Sequence, residues 1–327
     1  MRQLCAAMGL APTGYLYIHH MRVFVTGATG VVGIRAVPLL VAAGHSVTAA
    51  VRSAASRHRV EAFGASATST DLFDPRSVRR SIAGHDAVVN LATHMPSSPV
   101  KMAIRWFWRE NDRIRRVASA TIADAAIVEG VPRLVQESFA PLYGDHGDGW
   151  IDETFPLQPT SYNRTVLDAE HAAERFMEAG RAGVVLRFAA LYGPDPLLRQ
   201  MIATVKKGWS PLPGAPSAYV TSVSQDDAAS AVVAALGLPS GTYNVAETDP
   251  MRRGDWVGSL ADALGLPRPK PFPSWLAKFG GPIVSLLARS ERISSAKLRG
   301  SSSWTPRYAN AAAAWPEVLA QLGAAGL

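Results

Sequence analysis

The chain has 327 residues, of which 48% are hydrophobic and 18% are charged, a composition that buries a large core and excludes a disordered polymer. Its net charge of +7 suits a phosphorylated ligand better than nucleic acid, because the arginines are spread along the chain rather than massed in one tract. The lone Cys5 excludes an intrachain disulfide, and no zinc-type cluster accompanies it. We therefore expect a globular cytoplasmic protein that holds no metal and binds no nucleic acid.

Residues 1–20 directly precede the first predicted strand and carry none of the motifs described below. One early arginine and a short apolar stretch resemble a weak signal peptide, but almost no spacer separates them from the strand. We expect a disordered arm, or a start codon assigned too early with Met21 as the true start. No apolar run reaches the roughly 18 residues of a membrane span, so no membrane association is expected.

Short apolar runs alternate with longer helical patterns through the first two thirds of the chain. The predicted strands cover 22–26, 46–51, about 67–70, 87–91, 133–138, 183–188 and 241–245. The predicted helices cover 31–43, 106–129, 162–179 and 225–236. This alternation predicts an α/β fold, a Rossmann-type doubly wound parallel sheet with crossover helices.

Two stretches, 194–222 and 247–327, depart from that pattern because they are rich in Pro, Gly, Trp and Ser. We predict that they form a smaller, discontinuous C-terminal lobe that binds substrate over the ends of the strands. Residues 21–193 and 223–246 would then form the dinucleotide-binding domain.

The strongest motif is a glycine-rich turn between the first strand and the first helix. Gly27 permits the tight turn, Gly30 lets the backbone approach a pyrophosphate, and Gly33 lets helix and strand pack closely. The N-terminus of the helix then offers free N–H groups and partial positive charge to phosphates. The residues assigned to this loop are Gly27, Thr29, Gly30, Val31, Val32 and Gly33.

The same segment, TGATGVVG at 26–33, resembles the extended short-chain dehydrogenase/reductases, also called the NAD-dependent epimerase/dehydratase family. The resemblance covers nearly the whole chain from Met21 and implies an enzyme that binds a nicotinamide cofactor and forms a homodimer. It includes DLFDP at 71–75, VVNLAT at 88–93, Asn111, SFAPLYG at 138–144, SYNRT at 161–165, LRFAALYGPD at 186–195, PLPG at 211–214 and QDDAASAV at 225–232. The further cofactor contacts that it implies are Asp71, Leu72, Leu91, Ala92, Thr93, Tyr162, Arg187 and Phe188.

The end of the second strand predicts which nicotinamide cofactor is used. Sites that use NAD place an acidic residue here to bind the ribose hydroxyls, whereas this chain has Arg52 and Ser53, with Arg57 and Arg59 soon after. A guanidinium can hold a 2′-phosphate through paired, charge-assisted hydrogen bonds. We therefore expect NADP(H) to be preferred over NAD(H). The alternative is that Arg52 only stacks on the adenine, which would tolerate either cofactor.

The catalytic positions depart from the pattern that the resemblance implies. Family members carry a Tyr and a Lys four residues apart on one helix face, with a Ser or Thr at the end of strand five. Here Tyr162 stands at the Tyr position, but Val166 stands where Lys is expected. The Ser/Thr position falls on Phe139, with Ser138 one residue early.

Three interpretations stay open at this point. Ser138 and Tyr162 can polarise a carbonyl, with Tyr162 as the proton donor of a reduction. Alternatively His94 or Glu137, near the ends of strands four and five, serves as acid or base. Lastly, the site can be redox-silent, so that the protein senses NADP without catalysis.

The substrate side favours an apolar compound. Family members that act on nucleotide sugars carry an Arg where this chain has Val220, so a buried diphosphate would lack its counter-charge. Trp106, Tyr192 and Trp275 are the candidate substrate contacts. The hypothesis is an NADP(H)-dependent oxidoreductase that acts on a small, largely apolar carbonyl or hydroxyl compound, with reduction as the favoured direction. The rivals are an epimerase, dehydratase or lyase acting on a non-nucleotide substrate, and an NADP-sensing binding protein.

Overall fold

The computed structural model of the protein describes residues 20–96, 98–273 and 281–324. Residues 1–19 of the predicted arm and Trp275 lie outside these ranges. No helix in the described ranges is both long and apolar enough to cross a membrane.

The secondary structure follows the predicted alternation. The strands are β1 (Arg22–Thr26), β2 (Ser46–Val51), β3 (Ser66–Ser69), β4 (Ala87–Asn90), β5 (Arg133–Phe139), β6 (Trp150–Ile151), β7 (Ala182–Phe188), β8 (Ala190–Tyr192), β9 (Tyr219–Val220), β10 (Ser222–Ser224), β11 (Gly241–Val245), β12 (Met251–Arg252) and β13 (Arg292–Ile293).

The helices are α1 (Gly33–Ala42), α2 (Ala54–Glu61), α3 (Pro75–Ile82), α4 (Pro99–Ala103), α5 (Arg109–Arg113), α6 (Ser119–Val128), α7 (Thr165–Glu178), α8 (Pro196–Lys206), α9 (Gln225–Ala235), α10 (Arg253–Ala263), α11 (Gly281–Leu287), α12 (Ala296–Ser301) and α13 (Ala311–Ala324). A π-helical segment, Ile114–Ala118, joins α5 to α6, and a 3₁₀ turn, Arg105–Trp108, precedes α5.

Seven of the strands form one parallel sheet in the order β3-β2-β1-β4-β5-β7-β11. Chain order reverses between β1 and β4, which leaves a crevice at the carboxyl ends of those two strands. Helices α1 and α9 cover one face of the sheet, and α3, α6 and α7 cover the other. The predicted Rossmann-type, doubly wound α/β fold is confirmed.

The central strands are apolar on both faces because helices cover both faces. Val23, Phe24 and Val25 of β1 are fully buried, as are Val88 and Val89 of β4. This double burial fixes the register of β1 against β4 and therefore the relative position of the loops that follow them.

The C-terminal lobe has a separate aromatic core. Trp256 of α10 and Trp315 of α13 pack edge to face with ring centroids 5.0 Å apart, and Tyr192 packs on Trp315. The segment 292–304 does not join this core, because Ile293, Leu298 and Trp304 pack into the main core beside the sheet. The division into two domains stays a prediction.

A buried carboxyl lies where the lobe meets the sheet. Glu247 is 1% exposed and accepts hydrogen bonds from the Tyr192 hydroxyl at 2.6 Å and the Ser222 hydroxyl at 2.7 Å. Trp256 of the lobe donates its indole N–H to Ser222 at 3.0 Å. Burial raises the pKa of Glu247 to about 7, although these hydrogen bonds oppose that shift.

This carboxyl should make stability depend on pH. The folded protein keeps its Glu247 proton up to about pH 7, whereas an unfolded chain releases it near 4.5. The contribution of Glu247 to the free energy of unfolding is therefore largest below pH 4.5 and is lost as pH rises towards 7. In Glu247→Gln, Tm measured by calorimetry should be lower at pH 5 but should fall less between pH 5 and 7. Parallel Tm profiles of variant and wild type would contradict this.

Candidate active site

The glycine-rich turn lies at the crevice between β1 and β4. Gly27 has a φ of 65°, and a Cβ there would lie 2.3 Å from the Leu91 carbonyl oxygen. A Cβ on Gly33 would lie 2.2 Å from the Gly27 carbonyl oxygen. These two glycines are therefore required by the packing of the protein itself.

Gly30 differs from them. It is exposed, and among the described atoms a Cβ there would meet only the Gly27 carbonyl oxygen, at 3.2 Å. The space beyond it is open to a ligand that approaches the backbone closely.

The N-terminus of α1 faces the same space and is not capped by a side chain. Val32 stands at the N-cap position and makes no side-chain hydrogen bond, and the first turn holds no acidic residue. Neighbouring Val31 is 44% exposed, and Thr29 is half-buried. The uncompensated N–H groups and the positive end of the helix dipole fit a bound pyrophosphate.

Two asparagines hold the loop that follows β4. The Asn90 side chain accepts from the Thr26 hydroxyl at 2.6 Å and donates to Gln136 at 2.8 Å, which ties β1, β4 and β5 together. Asn111 accepts the backbone N–H of His94 at 2.9 Å. Between these anchors lie the predicted cofactor contacts: Leu91 is buried, Ala92 is half-buried and Thr93 is exposed.

At the end of β2, Arg52 is exposed and has no hydrogen-bond or ion-pair partner among the described residues. Ser53 caps α2 by accepting the Ser56 N–H at 3.2 Å. Asp71 accepts the Phe73 N–H at 2.9 Å, and Leu72 is half-buried. Arg52 is therefore free to meet a phosphate, whereas the side chains of Ser53 and Asp71 already have structural hydrogen bonds.

Tyr162 lies in an apolar cluster ahead of α7. It is 8% exposed, and its hydroxyl donates to the Ala103 carbonyl oxygen at 2.9 Å. Its ring packs edge-on against Trp108 at 5.7 Å, beside Ile283 of α11. Val166, at the expected Lys position, is 2% exposed and offers no charge to this cluster.

Ser138 and Tyr162 donate their hydroxyls to different groups. Ser138 is fully buried, and its hydroxyl donates to the carboxylate of Glu170 on α7. Arg187 pairs with the same carboxylate at 2.6 and 2.8 Å and donates to the Tyr143 hydroxyl at 2.9 Å. Ser138 and Arg187, predicted as catalytic and cofactor contacts, are therefore held in a buried structural network in this conformation.

The remaining predicted residues lie in different surroundings. Glu137 pairs with Arg115 at 3.0 Å; burial raises the pKa of Glu137, and Arg115 opposes the shift. His94 is exposed, and Trp106 is 64% exposed. Phe188 is buried in the main core, and Tyr192 is held in the lobe core with its hydroxyl on Glu247.

The roles of Glu170 and Asn90 were not predicted from the sequence. The signal for Glu170 was a lone carboxylate on an otherwise apolar helix face, between Ala169 and Ala173. Such a residue requires a buried partner, but the sequence alone did not identify Arg187. Among the described residues, no group of His, Cys, Asp and Glu could hold a metal ion.

The same substitution at two glycines should separate cofactor binding from folding. Gly30→Ala should weaken dinucleotide binding by about tenfold or more with little change in Tm, because its methyl group fills ligand space. Gly33→Ala should cost about 1–3 kcal/mol of folding stability or more, because its methyl group meets backbone. Titration calorimetry and thermal unfolding measure the two effects. Equal Tm losses in both variants would show that Gly30 is structural.

Comparison with known proteins identifies the family to which the chain belongs. The model of the family described as NAD dependent epimerase/dehydratase matches residues 23–246. The 3-diazoavenalumate denitrifying reductase of a Streptomyces species is 28% identical over 304 residues, which span 88% of this chain and 97% of that protein. The 4-hydroxy-2-methyl-3-oxo-4-farnesyl-3,4-dihydroquinoline-1-oxide ketoreductase of Stigmatella aurantiaca is 29% identical over 198 residues, 58% of this chain and 57% of that protein.

Solved structures share the fold. UDP-glucose 4-epimerase of Thermus thermophilus, in complex with NAD, matches with a TM-score of 0.74 and 22% identity, over 94% of this chain and 100% of that one. A human epimerase family protein with NADPH matches with a TM-score of 0.76 and 20% identity, over 92% of this chain and 100% of that one. The family match and the fold agree with the glycine-rich turn 27–33 and the uncapped N-terminus of α1, which together we call the dinucleotide cradle. This chain belongs to the NAD-dependent epimerase/dehydratase family of extended short-chain dehydrogenase/reductases.

Proposed function

We propose that the protein is an NADP(H)-dependent reductase of a small, largely apolar carbonyl compound. The observation that carries the proposal is the free guanidinium of Arg52 at the end of β2, where an NAD site would place a carboxylate. The reductase from Streptomyces, which aligns over 88% of this chain, supports the direction of the reaction.

The chain offers a contact for each charged part of the cofactor. The backbone at Gly30 and the uncapped N-terminus of α1 would hold the pyrophosphate, and Arg52 would hold the 2′-phosphate. The loop after β4 would line the middle of the cofactor. When bound, the cofactor supplies a hydride; the residues of the chain position the substrate and the proton.

Tyr162 is the proposed proton donor to the carbonyl oxygen. Its hydroxyl must give up its hydrogen bond to the Ala103 carbonyl oxygen in order to donate to a substrate. Trp108 and α11 then exclude water from the reacting groups. Val166 leaves no ammonium to stabilise a tyrosinate, which favours reduction because a neutral tyrosine already carries the required proton.

The cluster around Tyr162 also indicates the substrate class. Trp108, Ile283 and Leu286 pack with Tyr162, and Met102 lies against them. Such a surface binds an apolar compound better than a sugar nucleotide. Trp106, which is 64% exposed beside this cluster, is the proposed outer contact.

A second candidate function needs no proton donor. The hydroxyls of Tyr162 and Ser138 are both engaged by other groups, and Val166 replaces the Lys. The name of the Streptomyces relative describes a reductase that removes nitrogen from a diazo compound. Replacement of dinitrogen by hydride on an aryl diazonium forms one C–H bond and breaks one C–N bond. The C–N bonding pair leaves with dinitrogen, so the charge balances and no proton is consumed.

The cofactor preference is tested at Arg52. NADPH should bind more tightly than NADH, and Arg52→Asp should weaken NADPH binding by about 1.5–3 kcal/mol because a charge-assisted contact is lost. Titration calorimetry measures both affinities. Arg80→Asp is the control, since Arg80 is equally exposed and unpaired among the described residues but lies on α3. Equal affinities of the wild type for the two cofactors would refute the assignment.

The proton donor is tested at Tyr162. Tyr162→Phe should reduce kcat for carbonyl reduction by about 10²–10⁴-fold, while alcohol oxidation by the wild type should require high pH. Val166→Lys should shift the oxidation profile to lower pH. Stopped-flow absorbance of NADPH measures these rates. Its loss follows the reduction of a carbonyl panel and of an aryl diazonium salt, and its formation from NADP⁺ follows the oxidation of the corresponding alcohols.

The same assay distinguishes the rival functions. A Tyr162→Phe variant that still reduces the diazonium favours the second candidate, whereas undiminished carbonyl reduction would exclude Tyr162 as the donor and direct attention to His94 and Glu137. Tight NADPH binding without turnover of any compound would indicate a cofactor sensor.

A further inference from the structure

An open cleft of about 360 Å³ lies beside α5, the π-helical segment and the start of α7. Five arginines line it: Arg105, Arg109, Arg113, Arg116 and Arg164. We call it the arginine cleft. None of these residues belongs to the glycine-rich turn or to the end of β2.

The spacing of these arginines explains why they share one cleft. Arg105, Arg109, Arg113 and Arg116 follow one another at intervals of four, four and three residues, which places them on one face of a helix. The π-helical segment Ile114–Ala118 widens the helix within this face. Single π-helical turns inside α-helices occur frequently at functional sites.

Three of the arginines have carboxylate partners. Arg105 pairs with Asp112 at 2.5 Å and Arg116 with Asp168 at 3.3 Å. Arg113 lies 3.9 Å from Glu110, and its guanidinium stacks on the ring of Phe73, 3.6 Å from the centroid. These three carboxylates leave two of the five positive charges uncompensated.

The uncompensated charges are Arg109 and Arg164. Both are exposed, and neither side chain has a hydrogen-bond or ion-pair partner in the described part of the chain. They approach the cleft from different elements, one from α5 and the other from the residue that precedes α7. Two free guanidinium groups at one cleft can together hold an oxyanion through several charge-assisted hydrogen bonds.

We propose that the arginine cleft binds a small polyanion that carries phosphate or pyrophosphate. The flanking surface favours a small ligand over a nucleic acid strand, because Asp124 of α6 and Glu174 and Glu178 of α7 are exposed acidic residues. The site adjoins Tyr162, since the guanidinium carbon of Arg105 lies 6.0 Å from the centre of the Tyr162 ring. A ligand in the cleft would therefore contact the arginine that covers the proposed proton donor.

Inorganic pyrophosphate is the probe that tests this site. The full chain is saturated with NADP⁺ to fill the dinucleotide cradle and then titrated calorimetrically with pyrophosphate at low ionic strength. We expect one pyrophosphate per chain, with an affinity that falls as salt is added. The double variant Arg109→Gln/Arg164→Gln should bind pyrophosphate more weakly by about tenfold or more, because two charge-assisted contacts are lost.

The matched control is Arg80→Gln/Arg299→Gln, which removes the same charge from exposed residues on α3 and α12 that are unpaired in the described ranges. Its pyrophosphate affinity should equal that of the wild type, and both double variants should keep the wild-type Tm. The comparison holds whether or not NADP⁺ binds, because the glycine-rich turn is identical in all three proteins. The proposed cofactor preference can therefore fail without affecting this result.

Two outcomes would overturn the proposal: no pyrophosphate binding to the wild type, or equal pyrophosphate binding to the wild type and the Arg109→Gln/Arg164→Gln variant. If equal binding is accompanied by a fall in the molecular mass of the variant, measured by light scattering, this face is assigned to contacts between copies of the chain.

Discussion

The close approach of α1 to β1 is the constraint on which the site depends. A side chain at Gly33 would lie 2.2 Å from the Gly27 carbonyl oxygen, so the helix can reach this position only with glycine there. The approach holds the positive end of α1 directly beyond β1, and Gly27 packs equally closely on the Leu91 carbonyl after β4. The glycine-rich turn and the loop that follows β4 are thus held in place by the same close contacts.

Much of the sheet could be predicted because its central strands β1, β4 and β7 are buried along almost their whole length and contain apolar runs. Strands β1, β2 and β11 have the predicted bounds. Helices α2 and α3 were not predicted, since each is eight residues long, rich in basic residues and buries only one or two side chains. Helix α7 begins at Thr165 rather than Tyr162, because the Asn163 side chain accepts the Thr160 N–H at 2.7 Å and holds a turn there.

The catalytic region was less predictable for a physical reason. Counting back from the turn at 142–144 placed the Ser/Thr position on Phe139, one residue after Ser138. The direction of the Ser138 hydroxyl depends on Glu170, which is 32 residues away. The same carboxylate engages Arg187 of β7. A buried carboxylate needs hydrogen-bond donors or a positive charge nearby. Because Ser138 and Arg187 reach Glu170 from two strands, no pattern in the sequence reveals these contacts. The glycines of the dinucleotide cradle, in contrast, lie within seven consecutive residues, so the sequence alone predicted their roles.

We propose that the dinucleotide cradle binds NADP(H) with its 2′-phosphate on Arg52. The most direct measurement is a crystal structure of the protein with NADP⁺. We expect the pyrophosphate over Gly30 at the N-terminus of α1 and the guanidinium of Arg52 against the 2′-phosphate. A 2′-phosphate that projects into solvent away from Arg52, or a dinucleotide bound elsewhere, would contradict this proposal.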